Sequence, residues 1–273
     1  MAAVTGEGVP APPERAPLSR GRIVGLLVVA ALVAAHVVAW RETEFSIGAL
    51  IDGYGGMVRF LGEAIPPDLN WKEVLQPGLS AALVTLWTAL LGTSLSIPVS
   101  LGLAVLAARN TTPNAGVYQV ARSLLSFLRA VPDIVFALIF VTAVGLGPFP
   151  GVLAIAFHNV GVMGKLWAES IEEIDYGPVD AMRVGGASPS QVVSHAVLPA
   201  VTPQFVGLLL YRFDVNVRSS LVLGLVGAGG IGFLINESIK LFRFDELLTY
   251  ILVVLVMVVA VDQLSGAIRK RIA

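Results

Sequence analysis

Long apolar runs separated by short charged segments form the dominant pattern of the chain. A bilayer core accommodates about 20 apolar residues as one helix, and six runs meet or approach that length. Pro98 interrupts the second run and Pro132 the third, so both of these helices are expected to be kinked or bent. The pattern predicts an all-α membrane protein with six transmembrane helices, which are Ile23–Trp40, Gly78–Ala108, Leu124–Leu146, Gly151–Trp167, Pro203–Leu225 and Leu247–Leu264.

Basic residues near the ends of the spans predict the orientation of the chain, because Lys and Arg are enriched in cytoplasmic loops. They precede the first span, occupy the loop between the second and third spans, and form the C-terminal tail. In a six-span chain these positions fall on one side, so the N and C termini are both expected in the cytoplasm. The basic residues concerned are Arg15, Arg20, Arg22, Arg109, Arg122, Arg269, Lys270 and Arg271.

The segments around the spans divide the chain further. Residues 1–22 are rich in Pro and Ala and are predicted to form a disordered cytoplasmic tail. The first transmembrane helix, residues 23–40, has a cleaved signal peptide as its alternative, although no clean small-residue cleavage site follows it. The segment 41–77 carries six acidic and three basic residues and is expected outside, with Ser46–Ala64 as an interfacial helix. The remaining divisions are a core transmembrane domain, 78–265, and a basic cytoplasmic tail, 266–273.

Composition excludes several classes of chemistry. Charged residues make up 14% of the chain, against about 25% in soluble globular proteins, so no soluble catalytic domain is expected. The absence of cysteine excludes disulfides, thiolate catalysis and Fe–S clusters. His36, His158 and His195 form no ligand-spaced pair in the sequence, so no metal site is predicted. No catalytic residue is therefore assigned, and no cofactor is expected on this chain.

Four glycines after the fifth span have the G-x-G-x-x-G spacing of a dinucleotide-binding loop. Such a loop requires a soluble βαβ unit, whereas here a membrane span precedes the glycines and the sequence shows no βαβ pattern. We interpret the glycines as structural, because they allow backbone to pack closely or break a helix at a site lined by protein. They are Gly227, Gly229, Gly230 and Gly232.

The loop between the fourth and fifth spans predicts two short helices at a sharp angle. Gly177-Pro178 marks the start of the first helix and Gly185-Gly186 its end. Ser188 and Gln191 have the spacing of a capping box at the start of the second, which Pro199 is expected to stop. The loop is therefore predicted to be a compact projection into the cytoplasm.

The fifth span carries Arg212, Asp214 and Arg218, although an ionisable group costs about 2.5–3.5 kcal/mol at the centre of a membrane helix. Asp214 and Arg218 are four residues apart and can neutralise each other. Arg212 shares a roughly opposite face with Asn216, and no local partner is evident for it. It either extends towards the cytoplasmic surface or lines a polar path between helices.

The loop between spans four and five resembles the EAA loop of ABC-importer permeases. That motif reads E-A-A, three residues, G, nine residues, I-x-L-P, and this chain matches its spacing with Asp180 for Glu, Met182 for the second Ala and Ala196 for Ile. The resemblance implies the type I ABC-importer permease fold, with a cytoplasmic coupling helix in loop 175–200 that docks on an ATP-binding subunit. The residues implied in coupling are Asp180, Ala181, Gly186, Ala187, Leu198 and Pro199.

Further stretches are similar to the permeases of phosphonate importers (PhnE-like), and together with the loop they cover roughly residues 80–270. The most specific elements are Tyr211–Asp214 and Asn216–Arg218. The resemblance implies a binding-protein-dependent importer in the bacterial inner membrane that carries a phosphonate, or a related oxyanion such as phosphate or phosphite. The similar stretches are Leu128–Phe149, His158–Asp175 and Leu210–Phe233.

The same resemblance implies the partners of the chain. They are a second copy that completes a homodimer, two ABC subunits that hold ATP and Mg, and an extracytoplasmic phosphonate-binding protein. The complex is expected to lie in a lipid bilayer, and no nucleic acid is expected as a partner. The chain itself is not expected to be an enzyme. Because a guanidinium fork suits an oxyanion, we expect the substrate pathway to involve Arg212, Asp214, Asn216, Arg218, Ser219 and Ser220.

This function has two alternatives: another substrate within the same family, and a self-sufficient secondary transporter or membrane enzyme. A proton-coupled carrier needs unpaired acidic residues in mid-span, whereas Asp214 alone lies well inside and has Arg218 as a ready partner. The sequence also shows no clear inverted repeat and no constellation of catalytic groups. The importer subunit is therefore favoured.

Overall fold

The computed structural model of the chain describes residues 20–272, except for the side chain of residue 272. Within this range the chain forms α-helices joined by short connections and contains no β-strand, which confirms the all-α prediction and excludes a βαβ unit there. Residues 1–19 of the predicted tail lie outside the described residues. The helices are α1 (Arg20–Glu42), α2 (Ile47–Asp52), α3 (Tyr54–Ala64), α4 (Gln76–Ala107), α5 (Ala115–Ala130), α6 (Asp133–Val144), α7 (Pro148–Glu172), α8 (Gly177–Val184), α9 (Pro189–Val192), α10 (Leu198–Leu225), α11 (Ile231–Lys240) and α12 (Phe244–Ile272).

The chain divides into two compact units after Val58. In the first unit, α1 is an apolar helix of 23 residues, long enough to span a bilayer. The predicted interfacial helix Ser46–Ala64 is helical but is divided at Gly53 into α2 and α3. Ser46 caps α2 by accepting a hydrogen bond from the backbone N–H of Ala49 at 3.1 Å. The second unit holds the remaining spans.

Within residues 20–272, five helical segments are long and apolar enough to cross a membrane, and the bent pair α5–α6 brings the number to six if it forms one span. The two helices of this pair meet at 84°, so the bend predicted at Pro132 is confirmed but is sharp enough to make two helices. Val131 is extended because the proline ring that follows disfavours the helical conformation of the residue before it. The third predicted span is thus a broken one.

Small residues allow the spans of the second unit to pack closely, as is common between membrane helices. A Cβ atom at Gly92 of α4 would lie 2.7 Å from the side chain of Ile155 in α7. At Gly164 of α7 it would lie 2.5 Å from Leu125 in α5. The long helix α7 therefore has both α4 and α5 against it and forms the centre of this unit.

The prediction that Pro199 stops a helix is wrong. A π-helical turn, Val193–Val197, joins α9 to α10, and the backbone N–H of Leu198 donates to the carbonyl of Val193. Pro199 lies in the first turn of α10, where its missing N–H leaves no bond unmade. Consequently the fifth span begins at Leu198 rather than at Pro203, which lies inside α10.

The glycine segment between α10 and α11 breaks the chain as predicted. Gly227, Gly229 and Gly230 have φ angles of +97°, +72° and +72°, which other residues adopt only with strain. The turn is held to α4 because the backbone N–H of Ile231 donates to Oγ1 of Thr85 at 3.0 Å. These glycines are therefore structural in the fold, and the dinucleotide interpretation has no support there.

Candidate functional site

A cluster of hydrogen-bonded polar side chains joins the middles of three spans. At 1.5 Å per residue α10 is about 42 Å long, and Arg212 lies near its centre. Asn159 lies near the centre of α7 and Thr93 near that of α4. Asn159 is fully buried and Asn216 is 2% exposed. We call Thr93, Ser96, Asn159, Arg212 and Asn216 the polar network.

Arg212 connects the two asparagines of the polar network. Its Nε donates to Oδ1 of Asn159 at 3.0 Å, and a terminal guanidinium nitrogen donates to Oδ1 of Asn216 at 3.3 Å. The amide nitrogen of Asn159 then donates to Oγ of Ser96 at 2.7 Å, and that of Asn216 donates to Oγ1 of Thr93 at 2.8 Å. The network therefore bonds α10 to both α7 and α4.

The polar network holds a cation, the guanidinium of Arg212. Among the described residues, no Asp or Glu oxygen lies within 4.0 Å of the Arg212 guanidinium. A guanidinium has five N–H donors, and the hydrogen bonds to Asn159 and Asn216 leave some of them available. Arg212 is only partly buried, so it can accept an anionic ligand at mid-span. Of the two alternatives for Arg212, the structure favours a position between helices over extension to the membrane surface.

The other residues of the predicted pathway divide into buried and accessible groups. Asp214 and Arg218 form the predicted ion pair, with the Asp214 side chain 6% and the Arg218 side chain 53% exposed. Ser220 is buried and donates to the backbone carbonyl of Thr85 at 3.2 Å, whereas Ser219 is partly buried. Asn216, Ser220 and Asp214 are thus held within contacts of the fold. Arg212, Arg218 and Ser219 retain exposed surface.

Polar residues also lie in the fourth span and at the break between α5 and α6. Nδ1 of His158 donates to the carbonyl of Val131 at 3.0 Å, so α7 is bonded to the break. Arg129 and Asp133 flank the bend at Pro132. No ion pair between them forms within 4.0 Å among the described residues, and Arg129 is exposed.

The loop that resembles a coupling helix projects a short exposed helix, α8. Val179 is 3% exposed and packs into the apolar core near the end of α7. Asp180, Ala181 and Val184 face outwards, and Val184 is 90% exposed. Sequence reasoning missed Val184, although a β-branched apolar residue directly before the Gly185-Gly186 helix end could have drawn attention to it.

The connection from α8 to α10 follows the predicted capping chemistry. The backbone N–H of Gln191 donates to Oγ of Ser188, and the backbone N–H of Ser188 donates to Oε1 of Gln191, so the capping box is confirmed. Gly186 has φ +80° just after α8, where glycine is favoured. Ala187 is partly buried. Leu198 and Pro199 belong to the first turn of α10, so the EAA-like motif, which ends with these two residues, extends into the fifth span.

Side chains at the base of α8 link it to three spans. Arg183 donates to the backbone carbonyl of Asn110 at 3.4 Å, and Nδ2 of Asn110 donates to the carbonyl of Ile171 at 2.6 Å. Glu172 forms a 2.8 Å ion pair with Arg122 and accepts a hydrogen bond of 2.8 Å from the backbone N–H of Arg109. A displacement of α8 therefore acts on the ends of α4, α5 and α7 together.

Replacing Glu172 with alanine is expected to lower the free energy of unfolding by roughly 1–3 kcal/mol, because a charge-assisted hydrogen bond is lost and a backbone donor is left unpaired. Both side chains of the Arg122–Glu172 pair are mostly shielded, at 20% and 25% exposed. The measurement is the Tm of the purified protein in detergent. Glu173→Ala is the matched control, since Glu173 is exposed, and an equal fall in Tm for both variants would contradict the prediction.

Comparison with known proteins places the chain in a family. Residues 100–273 match the family described as the inner membrane component of binding-protein-dependent transport systems. The chain belongs to this family. It is thus an inner-membrane permease. The resemblance of loop 175–200 to the EAA loop of ABC-importer permeases is therefore confirmed at the level of the family.

Two relatives are similar to the permease over most of its length. It is 46% identical over 232 residues to the phosphite transport system permease protein PtxC of Stutzerimonas stutzeri, which covers 85% of this chain and 83% of PtxC. It is 43% identical over 237 residues to the phosphate-import permease protein PhnE of Mycolicibacterium smegmatis, which covers 87% of this chain but 44% of that protein.

Solved structures share the fold of the permease. The MetNI methionine ABC transporter in inward-facing conformations matches with a TM-score of 0.62 at 21% identity, over 73% of this chain and 96% of that chain. The predicted type I ABC-importer permease fold is therefore confirmed. The predicted locations of both termini and the predicted domain boundaries stay predictions.

Proposed function

We propose that the permease forms the translocation pathway for a phosphorus oxyanion, whether a phosphonate, phosphite or phosphate, in an ATP-driven importer. The observation that carries this proposal is the Arg212 guanidinium, which the polar network holds at mid-span with N–H donors available and, among the described residues, with no carboxylate oxygen within 4.0 Å. The names of the phosphite and phosphate permeases that are 43–46% identical support the same class of substrate.

The chemistry of the accessible residues suits a compact anion that must be released again. A guanidinium presents a planar fork of donors that matches the oxygens of a phosphorus oxyanion. Arg212, Arg218 and Ser219 supply such donors along α10, and Asp214 offsets the charge of Arg218. Asn216 and Ser220 act as positioning residues, because each is bonded to α4. Few donors and a nearby carboxylate favour weak binding, which transport requires.

A second copy of this chain completes the pathway. Charged groups in mid-span face either a polar cavity or protein, yet Arg218 is exposed on the single chain, so another subunit must cover that face. The length of a relative supports this: the match occupies 44% of the M. smegmatis permease, which leaves room there for a second unit of the same size. The proposed assembly is a homodimer.

Two ABC subunits, which hold ATP and Mg, are proposed to dock on α8, and a binding protein delivers the oxyanion from the other side. The exposed face of α8 suits such docking, because Ala181 allows close approach, Asp180 can meet a basic groove and Val184 presents an apolar contact that is 90% exposed. ATP-driven movement of α8 would reach α4, α5 and α7 through Asn110 and Glu172. The permease itself carries out no hydrolysis.

Replacing Val184 with glutamate is expected to reduce co-purification of the ABC subunit about ten-fold or more, because a charge would replace an apolar contact at the interface. The Tm of the permease alone should not change, since the side chain is exposed. Val184→Ala is the matched control and should retain most of the partner. Full retention of the ABC subunit by Val184→Glu would contradict the proposed docking face.

ATP hydrolysis by the complete complex tests the function. The permease, its ABC subunit and its binding protein are reconstituted in lipid and titrated with methylphosphonate, phosphite and phosphate. Stimulation by at least one of the three is expected, and the order of their effects identifies the cargo. Stimulation by none of them, with an ABC subunit that is active and bound, would reject an oxyanion cargo. Failure to recruit any ABC subunit would reject the importer.

A further inference from the structure

The break between α5 and α6 lies at the middle of the membrane. Val131 accepts a hydrogen bond from His158, and a Cβ at Gly161 would lie 2.5 Å from the backbone nitrogen of Arg129. At 1.5 Å per residue, His158 is about 15 Å from the Pro148 end of α7, which is about 37 Å long. The break therefore packs against the central part of α7. Non-helical backbone at this depth is tolerated only in protein or beside a polar cavity.

Arg129 lies next to this break, two residues before Val131. Arg129 is in the last turn of α5 and is exposed. Within residues 20–272 it makes no ion pair within 4.0 Å, including none with Asp133, whose carboxylate instead accepts a hydrogen bond of 2.9 Å from the backbone N–H of Ile134. Because an exposed charge cannot rest in the hydrocarbon core, Arg129 must face a polar space or another subunit.

Other ionisable groups converge on the same region of α7. Arg212 bonds to Asn159 at 3.0 Å, which is next to His158. Asp133 lies two residues after Val131, the hydrogen-bond partner of His158. Since Nδ1 of His158 donates to Val131, the neutral ring presents Nε2 as an acceptor, and no bond from Nε2 is seen in the described part of the chain.

We propose that Arg129, His158 and Arg212 form a transient oxyanion site at the broken third span. This inference rests on the oxyanion function proposed above and assigns the side chains that contact the cargo. The two guanidinium groups donate to unprotonated oxygens, and the P–OH group donates a hydrogen bond to Nε2 of His158. Asp133, one residue past the break, offsets one positive charge, so binding is weak enough for release. Lipid headgroups do not compete, because they lie about 15 Å away on either side of a core about 30 Å thick.

Uptake by the reconstituted complex tests the role of Arg129. Proteoliposomes contain the permease, its ABC subunit and its binding protein, and the probes are radiolabelled phosphite, phosphate and methylphosphonate. Arg129→Gln is expected to reduce the uptake rate about ten-fold with unchanged Tm and subunit composition, and Arg129→Lys to restore part of it, because lysine keeps the charge but not the fork. Ser126→Ala is the matched control on the same helix, exposed one turn earlier, and should match the wild type.

The role of Asp133 is tested without the binding protein. Equilibrium binding of phosphate to the purified complex of permease and ABC subunit should become several-fold tighter in Asp133→Asn, while uptake becomes slower because release is delayed. Weaker or unchanged binding in this variant would overturn the counter-charge role.

The possible failures are distinguishable. If the wild-type complex takes up none of the three probes, the oxyanion function fails and this site fails with it. If the wild type is active and Arg129→Gln transports at the same rate, the site alone is overturned. A loss of uptake that accompanies a lower Tm or dissociation of the subunits would assign Arg129 to assembly and would also overturn the site.

Discussion

Replacing Gly232 with alanine is expected to leave little folded permease in the membrane. The start of α11 lies so close to α10 that a Cβ at Gly232 would overlap the backbone carbonyl oxygen of Leu221, and it would lie 3.0 Å from Cα of Gly224. Backbone atoms on both sides prevent a local adjustment, so the two helices must separate. Overpacking of this kind costs about 1–3 kcal/mol and occasionally more, and here it would also pull on the glycine turn between the helices.

The measurement is the amount of monodisperse protein after detergent extraction, followed by the Tm of what remains. Gly207→Ala is the control, because Gly207 lies in α10, one of the two helices concerned, and a Cβ there meets nothing within 4 Å. It should express normally. Normal yield and Tm for Gly232→Ala would show that α10 and α11 are not packed as described.

Replacing Arg212 with methionine is expected to reduce oxyanion uptake by about 100-fold, the largest effect of any change that leaves the backbone intact. The variant removes the cation that would contact the cargo. It also deprives the amide oxygens of Asn159 and Asn216 of their donor in a buried site, where each unpaired group costs about 1–3 kcal/mol. Uptake therefore falls through lost binding, and the Tm falls through the unpaired amides.

Arg212→Lys separates these two effects. Lysine retains the charge, but its single ammonium group cannot reproduce the fork that joins Asn159 to Asn216. Partial uptake with a lowered Tm is expected. If Arg212→Met transported at the wild-type rate per folded complex, Arg212 would be a structural residue only, and the observation behind the proposed function would be lost.

Local chemistry made several features of this fold predictable from the sequence. The apolar runs indicate the spans because bilayer thickness fixes their length. The Asp214–Arg218 pair and the Ser188–Gln191 capping box form as predicted, since each depends on residues within one turn. The sharp bend at Pro132 follows from the geometry of the residue before proline.

Features that depend on distant residues were not predictable. Asn159 is 53 residues from Arg212 and Glu172 is 50 residues from Arg122, so neither contact leaves a local pattern. Pro199 was misassigned because a π-helical turn relieves the clash that an α-helix would suffer. Arg129 and Asp133 are four residues apart but form no ion pair within residues 20–272, because the bend separates residues that a continuous helix would place together.

The polar network also determines which parts of the importer can move. Because Arg212, Asn159 and Asn216 bond α4, α7 and α10 at their midpoints, these helices cannot slide past one another without breaking buried bonds. They are therefore expected to move as one body. In the proposed homodimer, opening and closing would then occur at the surface between the two copies, so a cross-link between α4 and α7 should be harmless, whereas one that joins the α10 helices of the two copies should arrest transport.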